Sequence, residues 1–445
     1  MPRYPWFCNI GFAAAIAAPF GCGGDEATTS SEGTPAGSGG GVVVACPEGF
    51  ADCDGELSNG CEATLETSPL NCGACGVACA SVHQDALCSA GTCIALCQAG
   101  FADCDGDASN GCEVDTANDP AHCGACARSC SASCAYATCD ITVLASAQET
   151  PTLLALDDDA VYWSSQGSPP AATGSVNRVP RGGGEVTVIA SNQAIALGVA
   201  VDATSIYWVT LGLTPGSGTV MMAPKQGGPA ITLAEGQASP FRVARDGDWL
   251  YWTNRGDPPN FQDGGVKRIS VVDPNASPEE LVVVPGSPSS LCVGQDAVFF
   301  TVLGSGDMAD GSLRALPKNG GPVTVLADGL VSPGALLCLQ TNVYFRTWTS
   351  ILSIPVAGGA PTTIVGDMTE PAIRLASDGA SLYWPTASSA SPSVEAAALD
   401  GSSRRTIASA QTGLIDVAVD DASVYWTRFA TTSEPVSGVV LKAAK

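Results

Sequence analysis

Val199–Trp208 reads VAVDATSIYW, and six relatives of this stretch are spread along the chain. LLALDDDAVYW ends at Trp163, RVARDGDWLYW at Trp252, LCVGQDAVFF at Phe300, LLCLQTNVYF at Phe345, RLASDGASLYW at Trp384 and DVAVDDASVYW at Trp426. The first aromatic of each falls at 162, 207, 251, 299, 344, 383 and 425, a spacing of 39 to 48 residues. A regular period in this range marks a repeat architecture. Each copy opens with an apolar run, turns at an Asp-rich segment, and continues into the aromatic run. A variable loop and a third run follow, and a Gly-Gly turn such as Gly183-Gly184 leads to a fourth β-branched run. Short runs rich in Val, Ile, Thr and aromatics, broken by Gly, Asp and Pro, are strands joined by turns. Four strands per repeat of about 40–45 residues is the blade of a β-propeller. No sustained helical periodicity interrupts them, so the region reads as all-β.

The ends set the expected blade count. The last copy stops after its third strand, Gly438 to Ala443, and a spare fourth strand precedes the first copy. Thr142-Val143-Leu144-Ala145-Ser146 matches Thr187-Val188-Ile189-Ala190-Ser191, each 20 residues ahead of its following tyrosine. A last blade completed by the N-terminal strand leaves no open sheet edge at the seam. The expectation is a seven-bladed β-propeller over 141–445, closed by an N-terminal strand.

Tyr251-Trp252-Thr253 and Tyr425-Trp426-Thr427 resemble the YWTD repeats of low-density-lipoprotein-receptor-type propellers. Val394 to Ile407, VEAAALDGSSRRTI, looks like that family's third strand, Asp-Gly turn and fourth strand. The resemblance covers about 300 residues and implies the fold; those receptors have six blades, and the count of seven departs from them.

Residues 1–22 read as an export signal, with one Arg and an Ala-rich apolar stretch from Phe12 to Phe20. It is too short to span a membrane as a mature helix. Cys22 closes this stretch and resembles the modified cysteine of a bacterial lipobox, with Pro19 and Phe20 departing from that pattern. Simple cleavage after an Ala-x-Ala site is the alternative. Residues 23–45 are a Gly/Ser/Thr linker.

Sixteen of the 20 cysteines run from Cys46 to Cys139, in two copies of eight offset by 51 residues, with only the spacing between the sixth and seventh cysteines differing. GFADCDG and SNGCE recur word for word, giving one module at 46–96 and a second at 97–140. Eight cysteines per small exported module read as four disulfides, with 105 connectivities open. The modules resemble the Cys-rich repeats (NGCE … NCGACG) found beside propellers in exported proteins of Gram-negative bacteria, a resemblance that carries no activity. Between Cys46 and Cys139, thirteen acidic residues against Arg128 make them strongly acidic in a chain of net charge −25. Such a surface repels nucleic acid and anionic headgroups, so no nucleic-acid partner is expected.

Several constellations could carry chemistry. The spacing Cys72, Cys75, Cys79 (and Cys123, Cys126, Cys130) would suit a metal in a reducing compartment, whereas export favours disulfides. Asp103, Asp105 and Asp107 alternate as calcium-loop carboxylates do, with Asp52, Asp54 and Glu56 at the matching places. Their glycine and glutamate do not keep an EF-hand register, and Asp-Gly turns in a solvated loop explain them as well. Asp157, Asp202, Asp246, Asp378 and Asp420 each sit five residues before the aromatic position. A role repeated in every well-formed blade reads as turn capping rather than a site. Cys292 and Cys338 lie on the first strands of neighbouring blades with opposite parity, which predicts a disulfide between blades; buried free thiols are the alternative.

The only histidines are His83 and His122, outside the propeller, which disfavours His-based catalysis. A recognition site is expected where the loops between second and third strands gather with the connections between blades. Arg255, Asp257, Phe261, Arg346, Trp348, Arg428 and Phe429 are the residues nearest that rim. The expected protein is exported, an outer-membrane or cell-surface lipoprotein, or else periplasmic or secreted. It is monomeric, touches membrane only through its lipid, and binds a protein or envelope glycan through one propeller face without catalysis or cofactor. Two alternatives stand beside this: a hydrolase or lyase with a calcium-carboxylate centre, and a calcium-binding Cys-rich adhesive stalk with the propeller as spacer.

Overall fold

The structure is a computed structural model that describes residues 46–445 except 57, 80–81, 131–132, 136–137, 274, 306–307, 387–391 and 430–437. The segments expected to be export signal and linker, with Cys22, therefore lie outside the described residues, as does most of the loop before Gly438. Two compact units are present: one within Met1–Leu96 together with Asp105–Cys112, the other Cys97–Cys104 with Glu113–Lys445. Among the described residues there is no helix, and every element is a β-strand.

The larger unit holds seven four-stranded antiparallel sheets whose strands follow chain order. The first is built from Pro151–Leu156, Ala160–Ser165, Gly174–Pro180 and Thr187–Gln193. The next five run from Ala196 to Gln237, Pro240 to Val283, Pro288 to Leu330, Gly334 to Val365 and Ala376 to Ala408. The seventh pairs Leu414–Val419, Ser423–Arg428 and Gly438–Ala444 with Thr142–Gln148, a strand from before the first sheet. Gly183 and Gly184 turn the chain between third and fourth strands at φ +85° and +137°, angles that only glycine takes without strain.

The core lies between sheets rather than within them. Seven apolar clusters each join two neighbouring sheets, as Tyr162 and Val176 of the first pack against Trp208 and Ala223 of the second. The last of them closes the circle, with Val161 and Trp163 of the first sheet against Tyr425 and Val440 of the seventh. First strands of successive sheets are in contact at six junctions, and the fifth and sixth sheets meet through the cluster of Tyr344 and Trp384, so the first strands surround a common axis. The architecture is a β-propeller.

The aromatic pair of each repeat makes the junctions specific. Trp163, Trp208, Trp252, Trp384 and Trp426 are fully buried. A buried indole N–H needs an acceptor. Trp163, Trp208, Trp252 and Trp426 donate Nε1 to the Oε1 of Gln148, Gln193, Gln237 and Gln411, at 3.2, 2.9, 3.1 and 3.1 Å. Each glutamine stands 15 residues earlier, at or just after the fourth strand of the preceding sheet. Where Phe300 and Phe345 replace Trp, the same position holds Pro285 and Leu330, because no donor needs matching. Trp384 has Thr369 there, and its Nε1 is buried without a partner.

In the smaller unit, disulfides do what a core would do. Cys46–Cys61, Cys53–Cys75, Cys72–Cys88 and Cys79–Cys93 pair first with third, second with fifth, fourth with seventh and sixth with eighth. Cys104–Cys126, Cys123–Cys134 and Cys130–Cys139 repeat the last three pairings in the second copy, and Cys97 and Cys112 are also disulfide-bonded. The metal-like trio Cys72, Cys75 and Cys79 is thus divided among three disulfides and offers no thiolate. So many disulfides mark an exported protein.

The compact units cut across the sequence repeats. Within the larger unit, Thr138 donates Oγ1 to Ser409 O at 3.1 Å and accepts Gln411 Nε2 at 3.1 Å. Ala135 packs against the cluster of Leu414 and Trp426. The end of the second Cys-rich copy is therefore part of the body that carries the sheets.

Candidate functional site

At the turn joining first and second strands, the recurrent carboxylates are consumed structurally. Asp157 Oδ1 accepts the amides of Asp159 and Ala160 at 2.9 and 2.8 Å, while Oδ2 accepts Tyr162 Oη at 2.9 Å. Asp202, Asp378 and Asp420 repeat this with Tyr207, Tyr383 and Tyr425. A cation from the next sheet completes each clasp: Lys225 on Asp157 at 2.6 Å, Arg245 on Asp202 at 3.2 Å, Lys318 on Asp246 at 2.6 Å, Lys445 on Asp378 at 2.6 Å. Arg181 of the first sheet reaches Asp420 of the seventh at 3.1 Å. Burial by itself would raise Asp157, Asp202, Asp378 and Asp420, but these donors outweigh it and hold all four below the usual carboxylate range. Burial and the same hydrogen bonds push Tyr162 and Tyr425 up to about 12.

The fourth and fifth sheets carry Gly294 and Leu339 in place of that aspartate. Cys292 and Cys338, two and one residues before those positions, form a disulfide with Cα atoms 5.7 Å apart. A covalent bond thus ties the fourth sheet to the fifth where the ionic clasp is missing.

The other end of the strands is different. Nine residues before each aromatic position stand Leu153, Gly198, Arg242, Ser290, Ala335, Arg374 and Asp416, all within first strands except Arg374, which precedes Ala376–Ser377. These residues occupy one level around the axis. Asp416 is 1% exposed and accepts Arg374 Nε at 2.9 Å, Leu154 N at 2.8 Å and its neighbour Val417 N at 2.9 Å. Ser290 accepts Leu336 N at 3.1 Å. Both side chains serve amides of the following sheet at a point where the strand pairing shifts register. Sequence position alone makes all seven residues look like drift.

Arg242 has no such partner. Its Nε is buried without a hydrogen bond, and its guanidinium lies 4.4 Å from the centroid of Phe241, over the ring that Arg255 also covers at 4.7 Å. Burial pushes Arg242 well below the usual arginine range, and Arg374, Arg255 and Arg346 push the same way while Asp416 opposes. A guanidinium does not release its proton within a protein, so this depression expresses first the cost of desolvating the charge and then that of holding it near like charges.

The rim residues are placed as follows. Arg255 donates Nε to Ser287 Oγ at 3.2 Å. Asp257 accepts Ser239 Oγ at 2.7 Å and Gly216 N at 2.6 Å, tying the loop of the second sheet to the start of the third. Phe261 adopts φ +50° and donates its amide to Asp257 O at 3.0 Å. Arg346 is buried, donates Nη1 to Ser332 O at 2.9 Å, and lies over Gly334, where an added Cβ would stand 2.8 Å from Nη2. Burial lowers it to about 10. Arg428 is buried and grips Thr412 through Nε to O at 2.7 Å and Nη2 to Oγ1 at 2.9 Å. Phe429 is half-buried and donates its amide to Gly413 O at 2.9 Å. Trp348 is 37% exposed, the most open large side chain of this set. Arg255 and Arg346 thus join Arg242, Arg374 and Asp416 in one electrostatic group, whereas Asp257 and Arg428 brace loops.

In the smaller unit, carboxylate oxygens of Asp52, Asp54 and Glu62 lie within 4.8 Å of one another. Each already accepts a local amide: Gly55 N on Asp52, Glu56 N on Asp54, Cys53 N on Glu62, at 2.7, 2.8 and 2.7 Å. Glu56 contributes its amide here. Asp103 and Asp105 match Asp52 and Asp54 by position, and Glu113 matches Glu62. Asp105 accepts Asp107 N and Asn110 Nδ2, both at 2.9 Å. Asp107 accepts Ser109 N at 3.0 Å and Ser109 Oγ at 2.5 Å. Turn capping accounts for these contacts.

No protein-family model and no curated protein sequence matches the chain. Solved structures do. A nidogen/laminin complex is 18% identical over 58% of this chain and 84% of that one, with a TM-score of 0.36. A puromycin-hydrolysing peptidase of Mycobacterium tuberculosis is 13% identical, covers 64% of this chain and 50% of its own, and scores 0.49. Regucalcin of Agrobacterium tumefaciens, a calcium-binding protein, is 14% identical over 56% and 89%, at 0.42. All three scores fall below 0.5, so none bears on what this chain binds.

Proposed function

We propose that the chain is an exported protein, lipid-anchored through Cys22, whose seven-bladed propeller recognises a protein or envelope glycan without catalysis. The recognition face is the end bearing the loops between second and third strands. One observation carries this reading: at that end Arg242 and Arg255 both cover the Phe241 ring and Arg374 is paired with buried Asp416, whereas the recurrent carboxylates of the other end are clasped by cations. Recurring groups hold the ring together, and the irregular group is the one left for a ligand.

The test uses the full chain as bait in envelope extract, beside a variant carrying Trp348→Ala and Phe261→Ala. The reading expects a partner retained by the parent, with chelator or without, and lost from the variant. Retention by both, or stoichiometric tightly bound metal in the purified chain, favours the hydrolase alternative or a partner held elsewhere. A second reading, calcium in the Cys-rich modules, is favoured by the convergence of Asp52, Asp54 and Glu62. It expects chelator to release the partner and Glu62→Gln to do the same.

A further inference from the structure

The level around the axis nine residues before the aromatic position is chemically uneven. Five of its seven members are apolar, absent as side chains, or satisfied: Leu153, Gly198, Ala335, and Ser290 and Asp416 with their amide donors. Arg374 is neutralised by Asp416. Arg242 remains, with a buried Nε lacking any acceptor and Arg255 and Arg346 as its further charged neighbours. Three arginines and the Asp416 carboxylate are the charges that act most on Arg242, and Asp416 is already paired with Arg374, in a chain of net charge −25.

Such an arrangement is costly if it only supports the fold. An unmatched charge near others of its sign is relieved by replacement with an apolar side chain of similar volume. Ring closure does not explain it either, because Gly198, at the matching place in the second sheet, has no side chain at all. Guanidinium groups held beforehand around a common axis are suited to an oxyanion, whose oxygens accept from planar N–H forks. Phe241, which both Arg242 and Arg255 cover, holds the two forks beside each other before any ligand arrives.

We infer that the axial channel of the propeller binds an oxyanion of more than one negative charge, with Arg242 as the principal ligand and Arg255 and Arg346 in support. The anionic oxygens of a dicarboxylate, a sulfate or a phosphate share this chemistry. Arg374 and Asp416 form the fixed wall beside it. The inference rests on the proposed recognition face only in adopting the same end of the ring, since the anion is held inside and needs no partner.

The experiment is a thermal melt of the full disulfide-intact chain, titrated separately with malonate, sulfate and inorganic phosphate against chloride at equal ionic strength. The expected result is a saturable rise in melting temperature with at least one of the three. Which anion acts at the lowest concentration identifies the source chemistry. Arg242→Met removes the fork and keeps the apolar stem. The variant should bind that anion about tenfold or more weakly. It should also melt higher than the parent when only chloride is present, because the unmatched charge is gone; a merely structural arginine would lower it. Arg255→Gln should weaken binding by a smaller factor. No saturable rise with any anion, an equal rise in parent and Arg242→Met, or a lower melting temperature of that variant in chloride overturns the inference. A negative titration with a positive partner capture breaks only this inference, and the reverse pair of results breaks only the recognition reading.

Discussion

The two ends of the propeller use the same residue types to opposite purpose. At the turn between first and second strands, Asp157, Asp202, Asp246, Asp378 and Asp420 each meet a cation from the following sheet, and four of them also accept a tyrosine hydroxyl. At the opposite end, Arg242 feels Arg374, Arg255 and Arg346, with the Asp416 carboxylate opposing them. Repetition around the ring marks structure because every junction must solve the same packing problem. Irregularity marks a place where packing alone did not choose the residue. The contrast turns a degenerate repeat into a map: one end repeats the same clasp around the ring, the other carries the irregular charges.

The strongest attempt to break this contrast targets Asp416, the buried carboxylate that pairs with Arg374. Asp416→Ala strands the buried Leu154 amide and the Arg374 guanidinium together. A loss of about 3–5 kcal/mol is expected in chemical denaturation. A loss no greater than that of an exposed control such as Asp158→Ala would mean that this end is not organised around Asp416.

Next in size is the junction without a clasp. Replacing Cys292 and Cys338 together by Ser should cost roughly 2–4 kcal/mol, with the fourth and fifth sheets losing hydrogen-exchange protection before the others. Uniform loss over all sheets would show that the disulfide is not a local substitute for the ion pair.

The ring-closing clasp comes third. Asp420→Asn keeps the turn acceptor but removes the charge facing Arg181, for a cost of about 1–2 kcal/mol. The pH dependence follows from the same groups. Asp157, Asp202, Asp378 and Asp420 are held below the unfolded value of 3.8 in the native chain. Their contribution is therefore full above that pH and is lost as pH falls below it. Melts between pH 5 and pH 2 should fall more shallowly in Asp420→Asn than in the parent (roughly; one clasp of several is gone). Parallel slopes would remove the clasp from the account.

The smallest effect expected is that of Tyr162→Phe, about 1 kcal/mol for one neutral donor to Asp157. Tyr162 and Tyr425 are raised to about 12 from 10.0. The stability they supply is present below pH 10 and disappears as pH approaches 12. Phenolate absorbance should then rise together with unfolding rather than before it.

The period of the aromatic pair, the Gly-Gly turns and the spare Thr142–Gln148 strand were enough to read the β-propeller, because blade geometry is local and repeats seven times in the chain. Turn capping by the recurrent aspartates was legible for the same reason, since an Asp five residues before a tyrosine bonds amides two and three positions on. Their second role, gripping a cation of the next sheet, was not read: Arg181, Lys225, Lys318 and Lys445 each directly follow a third strand, but their partners, 68 and 67 residues off for Lys225 and Lys445, are set by how neighbouring sheets meet. Glutamine 15 residues before tryptophan was a usable signal for the junctions, present at Gln148, Gln193, Gln237 and Gln411 and missing where Phe300 and Phe345 need no acceptor.

The arginine group divides the two sources of information most sharply. Sequence singled out Arg255 and Arg346 as rim residues, since both lie just past their aromatic strands. Arg242, Arg374 and Asp416 stood in plain view, nine residues before Tyr251, Tyr383 and Tyr425, inside runs that read as strand. A single repeat says which residues become strands and where they turn, because those choices depend on neighbours a few positions away. Which charge meets which across an axis depends on the closure of the ring, and only the tertiary structure brings positions 242, 374 and 416 to one level.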